Sequence, residues 1–206
     1  MTDAERMQYD AWTRQLERMR GMQYAYNRKF FVLLLVSTLG VWFGFRDGLM
    51  VSLLAIPLGL ITTGVTASFF LHQCDFARVH ARALEGRINR LLGERVLIAS
   101  ELEAEYFYPH ARPKLSGLPL GGRWTFFNGF TLHFCVVWTG ASVLALWRVR
   151  EWMSGGLWFL WLIAVGMWAA INVAGLTVWF ASAAGERRMQ QQLVEAYGDP
   201  ADVHPR

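Results

Sequence analysis

Residues 49–71 read LMVSLLAIPLGLITTGVTASFFL, and residues 72–92 continue HQCDFARVHARALEGRINRLL. The first stretch holds no Asp, Glu, Lys or Arg. It is long enough to cross a bilayer, which takes about 20 apolar residues in a helix. The second stretch carries charge, yet Phe76, Val79, Ala83, Leu84, Ile88, Leu91 and Leu92 recur at helical spacing. No proline interrupts it, and Gly86 is its one mild breaker. The two stretches therefore predict a single helix that leaves the membrane and continues into water. Gly93 suits its end.

Three more charge-free runs lie at 30–45, 125–147 and 157–184. The tip between the first two runs is only Arg46-Asp47-Gly48, which forces antiparallel neighbours. The pattern predicts an all-α chain: a four-helix transmembrane bundle built from two helical hairpins, with cytoplasmic helical extensions. Its parts are an N-terminal helix (1–28), a first transmembrane hairpin (29–71), a helical linker and loop (72–124), a second hairpin (125–184) and a C-terminal helix with a tail (185–206). Within the linker a short helix is expected near 94–107, followed by a loop rich in Pro and Gly. Met189, Leu193 and Tyr197 form one face of the last helix. Each half reads helix, span, tip, span, helix, as a duplicated hairpin would.

The chain has 206 residues, 54% of them hydrophobic, and a mean hydropathy of +0.24. Its ten tryptophans fit a membrane protein, because indole rings favour the interface. No cleavable signal is expected in the polar first 28 residues, so the first run would serve as the insertion signal. Basic residues set an orientation. Six precede the first span, eight lie in the linker and three in the tail, whereas the two tips hold only Arg46, Arg148 and Arg150. The positive-inside rule then puts both termini and the linker in the cytoplasm. The basic residues alternate with Glu and Asp, so they read as solvated helix faces beside anionic headgroups, and no nucleic-acid partner is expected. Cys74 and Cys135 are not spaced as a redox pair and read as small packing residues.

Polar residues inside spans mark faces that avoid lipid. The candidate intramembrane contacts are Ser52, Thr63 and Thr66 in the second span, Asn128, Thr131, His133 and Thr139 in the third, and Asn172 in the fourth, a possible partner for His133. In the first span Gly40 and Gly44 share a face with Ser37, which lets helices approach closely. These stripes serve either bundle packing or the lining of an oligomeric pore. No carboxylate or basic group lies inside a span, which argues against proton-coupled transport. His72, Asp75 and His80 invite an interface-site reading. His72 and His80, however, sit about 12 Å apart along an ideal helix, and no metal or cofactor motif is present. Asp75 with Arg78, and Arg90 with Glu94, read as helix ion pairs. Phe76, Val79, Ile88 and Leu91 form the candidate cytoplasmic interaction face.

Gly129-Phe-Thr-Leu-His-Phe134, Gly156-Leu-Trp-Phe-Leu-Trp161, Gly166-Met-Trp168 and Gly185-Glu-Arg-Arg188 with Leu193 resemble the bacterial two-transmembrane (2TM) domain family over roughly 122–195. Leu162 stands where that family has a proline, Gly-Met-Trp replaces its Gly-Trp-Gly, and Asn172 stands near its second-helix histidine. The resemblance implies a membrane hairpin with flanking cytoplasmic helices, alone or joined to signalling modules. With the high Arg-to-Lys ratio, it implies a bacterial inner membrane.

The expected function is that of a non-enzymatic membrane anchor, scaffold or signalling module. It would act through its cytoplasmic helices on a second copy or a cytoplasmic protein. The alternatives are a small homo-oligomeric channel, and a membrane-interface enzyme or lipid-binding protein.

Overall fold

A computed structural model describes residues 2–47, 49–106, 114–115, 118–119, 126–182 and 184–197. Side chains at 47, 104–131, 133, 177–187 and 190 lie outside that description, which includes Asn128, Thr131 and His133. The described chain is helical. Its elements are α1 (Asp3–Asp47), α2 (Met50–Leu92), α3 (Ala99–Tyr106), α4 (Phe126–Arg150), α5 (Gly155–Ser182) and α6 (Ala184–Tyr197). Between α3 and α4 a two-residue strand β1 (Lys114–Leu115) pairs antiparallel with β2 (Leu118–Pro119), in part of the expected loop.

Helix α1 begins at a capping box. Thr2 N–H donates to Glu5 Oε2 at 2.6 Å, and Glu5 N–H donates to Thr2 Oγ1 at 3.3 Å, so two orphan donors are satisfied reciprocally. From there α1 runs 45 residues without a break, about 68 Å at 1.5 Å per residue. Helix α2 runs 43 residues, about 65 Å. Both exceed the roughly 30 Å hydrocarbon core twofold, so each has an apolar half and a charged half. Pro57 sits fully buried inside α2, where packing against neighbours offsets the donor it lacks. The helix ends as expected at Gly93, whose φ of +69° needs a residue without Cβ, and its N–H donates to Arg90 O at 3.3 Å.

Helices α1 and α2 pack antiparallel along their whole length. Near the tip, Gly44 lets α1 approach α2: a Cβ there would sit 3.0 Å from Ile56 Cδ1. One level on, Ser37 Oγ donates to Thr63 Oγ1 at 3.1 Å. Tyr26 then packs on Phe69 and Phe70, with centroids 6.3 and 6.0 Å away. Cys74 Sγ reaches Gln23 O at 3.6 Å, and Gln15 meets His80.

Every other helix leans on α2. Helix α4 does so through Ala141, Ala145 and Val149, which close over Leu53, Ile56 and Leu60. A second cluster joins Phe30, Leu34 and Ala67 to Phe134 and Trp138. A third lies in the charged halves, where Met19, Ala81 and Leu84 pack with Trp12, Leu16 and Tyr197 of α6. Helices α4 and α5 touch α2 more than each other.

Three described helices, α1, α2 and α5 over Gly155–Leu176, are long and apolar enough to cross a membrane. Almost all of the apolar stretch of α5 over Gly155–Leu176 is unburied within the chain, Val165 being the buried exception, so lipid or another protein must cover it. The start of the expected third span lies among side chains outside the description.

Gly44→Leu tests the close approach of α1 and α2. Its side chain has no room beside Ile56. We expect a loss of about 1–3 kcal/mol, the usual range for overpacking, in detergent unfolding titrations. Gly40→Leu should be neutral, since a Cβ at Gly40 meets nothing within 4 Å.

Candidate functional site

The sequence leaves the apolar stripes on the charged halves of α1 and α2 free for another molecule. Instead they close on each other, on α3 and on α6. Trp12, Leu16 and Met19 of α1 meet Ala81 and Leu84 of α2. Among the described side chains of α6, Met189, Leu193 and Tyr197 are half-buried, while Arg188, Gln191, Gln192 and Val194 are exposed.

A buried polar clasp holds α3 to this pair. Arg20 of α1 donates to Glu85 of α2 at 2.5 Å, to both carboxylate oxygens of Glu103 in α3 at 2.7 Å, and to Ser100 Oγ at 3.0 Å. Gln23 Nε2 donates to Glu103 Oε2 at 3.2 Å, and Ser100 N–H donates to Glu85 Oε2 at 2.9 Å. The Arg20 and Glu85 side chains are 16% and 6% exposed, so the pair is largely out of water. Burial works against the Arg20 charge. The hydrogen bonds and charges of Glu103 and Glu85 outweigh it and hold Arg20 above the ordinary arginine value. One turn after Glu85, Asn89 fixes the connecting loop. Its Oδ1 accepts from Val96 N–H at 3.1 Å and Leu97 N–H at 2.8 Å, and its Nδ2 donates to Leu97 O at 2.8 Å.

His80 is the node for α6. Its Nε2 lies 3.2 Å from both Gln15 Nε2 and Tyr197 Oη. With the proton on Nδ1, the single lone pair of Nε2 is shared between the Gln15 amide and the Tyr197 hydroxyl as donors. Burial pushes His80 below the ordinary histidine range, which favours that neutral form. Arg90 donates to Tyr197 O at the end of α6, a favourable place for a cation. Arg87 lies over the Trp12 ring, 5.1 Å from its centroid.

The expected residues are distributed as follows. Asp75 pairs with Arg78 at 2.8 Å, as the spacing indicated, while His80 turns to α1 and α6. Among the described residues no group of three His, Cys, Asp or Glu could hold a metal ion. On the candidate interaction face, Ile88 is 1% exposed and spent inside the chain, Val79 and Leu91 are half-buried, and Phe76 is exposed. Within the spans Ser37–Thr63 joins two helices. Thr66 donates to Thr62 O at 3.0 Å and Asn172 to Trp168 O at 2.7 Å, each on its own helix. Ser52 lies half-buried against α1. Thr139 is exposed, and the face α4 turns to α2 is the alanine ladder instead.

Sequence reading missed Arg20, Gln23 and Glu103 as contacts, and it gave Tyr197 only as part of an apolar face. It also missed Glu85 and Asn89, whose four-residue spacing on the buried side of α2 was the available signal. The chain matches no protein-family model, no curated protein and no solved structure.

Two outcomes follow from the clasp and the node. Arg20→Met leaves Glu85 buried without its cation, and we expect a loss of about 3 kcal/mol in unfolding titrations. Cleavage should also become easier between residues 93 and 103, and Arg20→Met with Glu85→Gln should recover part of the loss.

The His80 node makes stability depend on pH. Its folded pKa is depressed, so the unfolded chain protonates first as pH falls through about 6.5. The contribution is full above that pH and is lost below it, as His80 protonates and its ring nitrogen can no longer accept. The unfolding temperature should drop between pH 7.5 and 5.5 more in the native chain than in His80→Gln. Equal slopes would remove His80 from the account.

Proposed function

We propose that this chain is a non-enzymatic, four-span protein of a bacterial inner membrane with both termini cytoplasmic. It acts as an anchor or scaffold that presents a rigid cytoplasmic unit to a protein partner. The orientation rests on the basic residues flanking the spans, and the bacterial assignment on the Arg-rich composition and the 2TM resemblance of residues 122–195.

The observation that carries the reading is a set of exposed apolar side chains over residues 92–102, past the charged half of α2. Leu92, Val96, Ile98 and Leu102 are 39%, 57%, 40% and 51% exposed. Leu92 lies 21 residues past the last residue of its span, about 32 Å along the helix. Large apolar side chains grouped in water mark a contact surface more often than accident. Asn89 and the Arg20 clasp hold the patch in one shape, so a partner would meet a preformed surface. This patch replaces the stripe at Ile88 as the interaction surface.

A pore reading has weaker support. The hydroxyls of Thr38, Thr62, Thr66 and Ser68 each donate to a carbonyl of their own helix.

The test places a photo-crosslinking residue at Val96 in cells. A discrete adduct heavier than the chain is expected. Ile98→Glu with Leu102→Glu should abolish it while membrane insertion and unfolding change by less than about 0.5 kcal/mol, as exposed positions allow. An adduct that survives both charges, or no adduct at any tip position, refutes the reading.

A further inference from the structure

We propose that the exposed face of α1 binds one anionic phospholipid in the leaflet beside its charged half, with Arg28 and Lys29 on the phosphate and an acyl chain along Phe31, Val32 and Leu35. The inference rests only on α1 crossing the membrane. Arg28 and Lys29 are exposed and immediately precede the charge-free run, so they stand at headgroup depth. No Asp or Glu occurs on α1 between Glu17 and Asp47. Neither cation enters an ion pair among the described residues, so their charge is left for an outside anion. Lys29 is also held in place. Its Nζ lies over the Tyr26 ring, 4.6 Å from the centroid, and that ring packs on Phe69 and Phe70. A cation already positioned loses less freedom when it takes a phosphate.

Spacing along the face identifies the occupant as lipid. Arg46 follows Arg28 by 18 positions, five turns on and so on the same face, about 27 Å away. The hydrocarbon core is about 30 Å thick, so the two arginines reach the two headgroup layers. Arg46 is exposed as well, 5.4 Å from the Trp42 ring. Between them Phe31, Val32, Leu35 and Leu39 are 42%, 54%, 60% and 45% exposed and share the face of Arg28 at helical spacing. A second copy fits this face poorly. Two copies inserted in one orientation about a twofold axis would set Arg28 against Arg28 and Arg46 against Arg46, with no carboxylate on the face to relieve them. A phospholipid brings its phosphate to the cations and its chain to the apolar residues. Net negative charge is selected because a zwitterionic headgroup carries a cation of its own, for which this face offers no acidic partner.

The test titrates the full chain in a non-ionic detergent with dioleoylphosphatidylglycerol and counts bound lipids by native mass spectrometry. The first adduct should half-saturate at a concentration at least about fivefold lower than with dioleoylphosphatidylcholine, the worth of one basic residue at an anionic surface. Arg28→Gln and Lys29→Gln should each raise that concentration about fivefold for the same reason. Arg14→Gln removes an equal charge from an exposed position about 21 Å farther along α1, and should leave it unchanged. All three variants replace exposed side chains, so they should unfold with the native chain. Inorganic phosphate in large excess should not displace the lipid, because the acyl-chain contacts are absent from it. Equal affinity for the two lipids, an equal loss in Arg14→Gln, no loss in Arg28→Gln and Lys29→Gln, or displacement by inorganic phosphate overturns the assignment.

Discussion

The structure depends on the antiparallel contact of two helices that do not stop at the membrane surface. A helix in hydrocarbon satisfies its backbone internally, and α1 and α2 extend that solution into water. Neither has a cap or turn between its apolar and charged halves. The contact made at Gly44 and Ile56 in lipid is thus continued at Gln15 and His80 outside it. Register chosen at one end is imposed at the other. All remaining helices use α2 as their support, so an error in that register would misplace each of them.

The two halves of this pair are held by different physics, because their solvents differ. In lipid there is no hydrophobic gain from helix association, and close packing of small residues takes its place. Ala141, Ala145 and Gly44 serve that role, and Ser37–Thr63 adds one hydrogen bond across the pair. In water the apolar cluster of Met19, Ala81 and Leu84 gains from burial in the ordinary way. There the Arg20 clasp contributes direction more than energy. A buried ion pair repays little beyond its desolvation. Fork geometry to Glu85 and Glu103, however, admits one placement of α3 and rejects its neighbours.

Much of this was legible in residue order. Continuity from residue 72 to 92 followed from the absence of a strong breaker, and its end from Gly93. The half-buried face of α6 followed from the spacing of Met189, Leu193 and Tyr197. The intramembrane hydroxyls were harder to read, and the reason is chemical. A Thr or Ser in a helix can donate to the carbonyl one turn back, as Thr62 and Ser68 do. Such a residue needs no partner on another helix, so its position does not reveal a contact face. Alanine, which carries no polar signal, marks where α4 meets α2. The clasp was hidden for a related reason. Arg20 and Glu103 are 83 positions apart, and nothing in local periodicity pairs residues at that distance.

The same reasoning separates the exposed apolar surface into two kinds. Phe159, Leu160 and Ile171 of α5 are exposed on a helix with no charge across its span, so lipid is a sufficient neighbour for them. Val96 and Ile98 are equally apolar but sit past Arg78, Arg82, Arg87 and Arg90, on a loop pinned by Asn89. Lipid cannot cover them without also taking in those charges. Their exposure persists although the loop beside them spends three hydrogen bonds on Asn89 to hold its shape. A loop under no demand beyond closure would turn such side chains toward the Met19 and Leu84 cluster nearby. That they are held outward, by specific polar contacts, is the physical ground for treating the tip as a surface made to be covered.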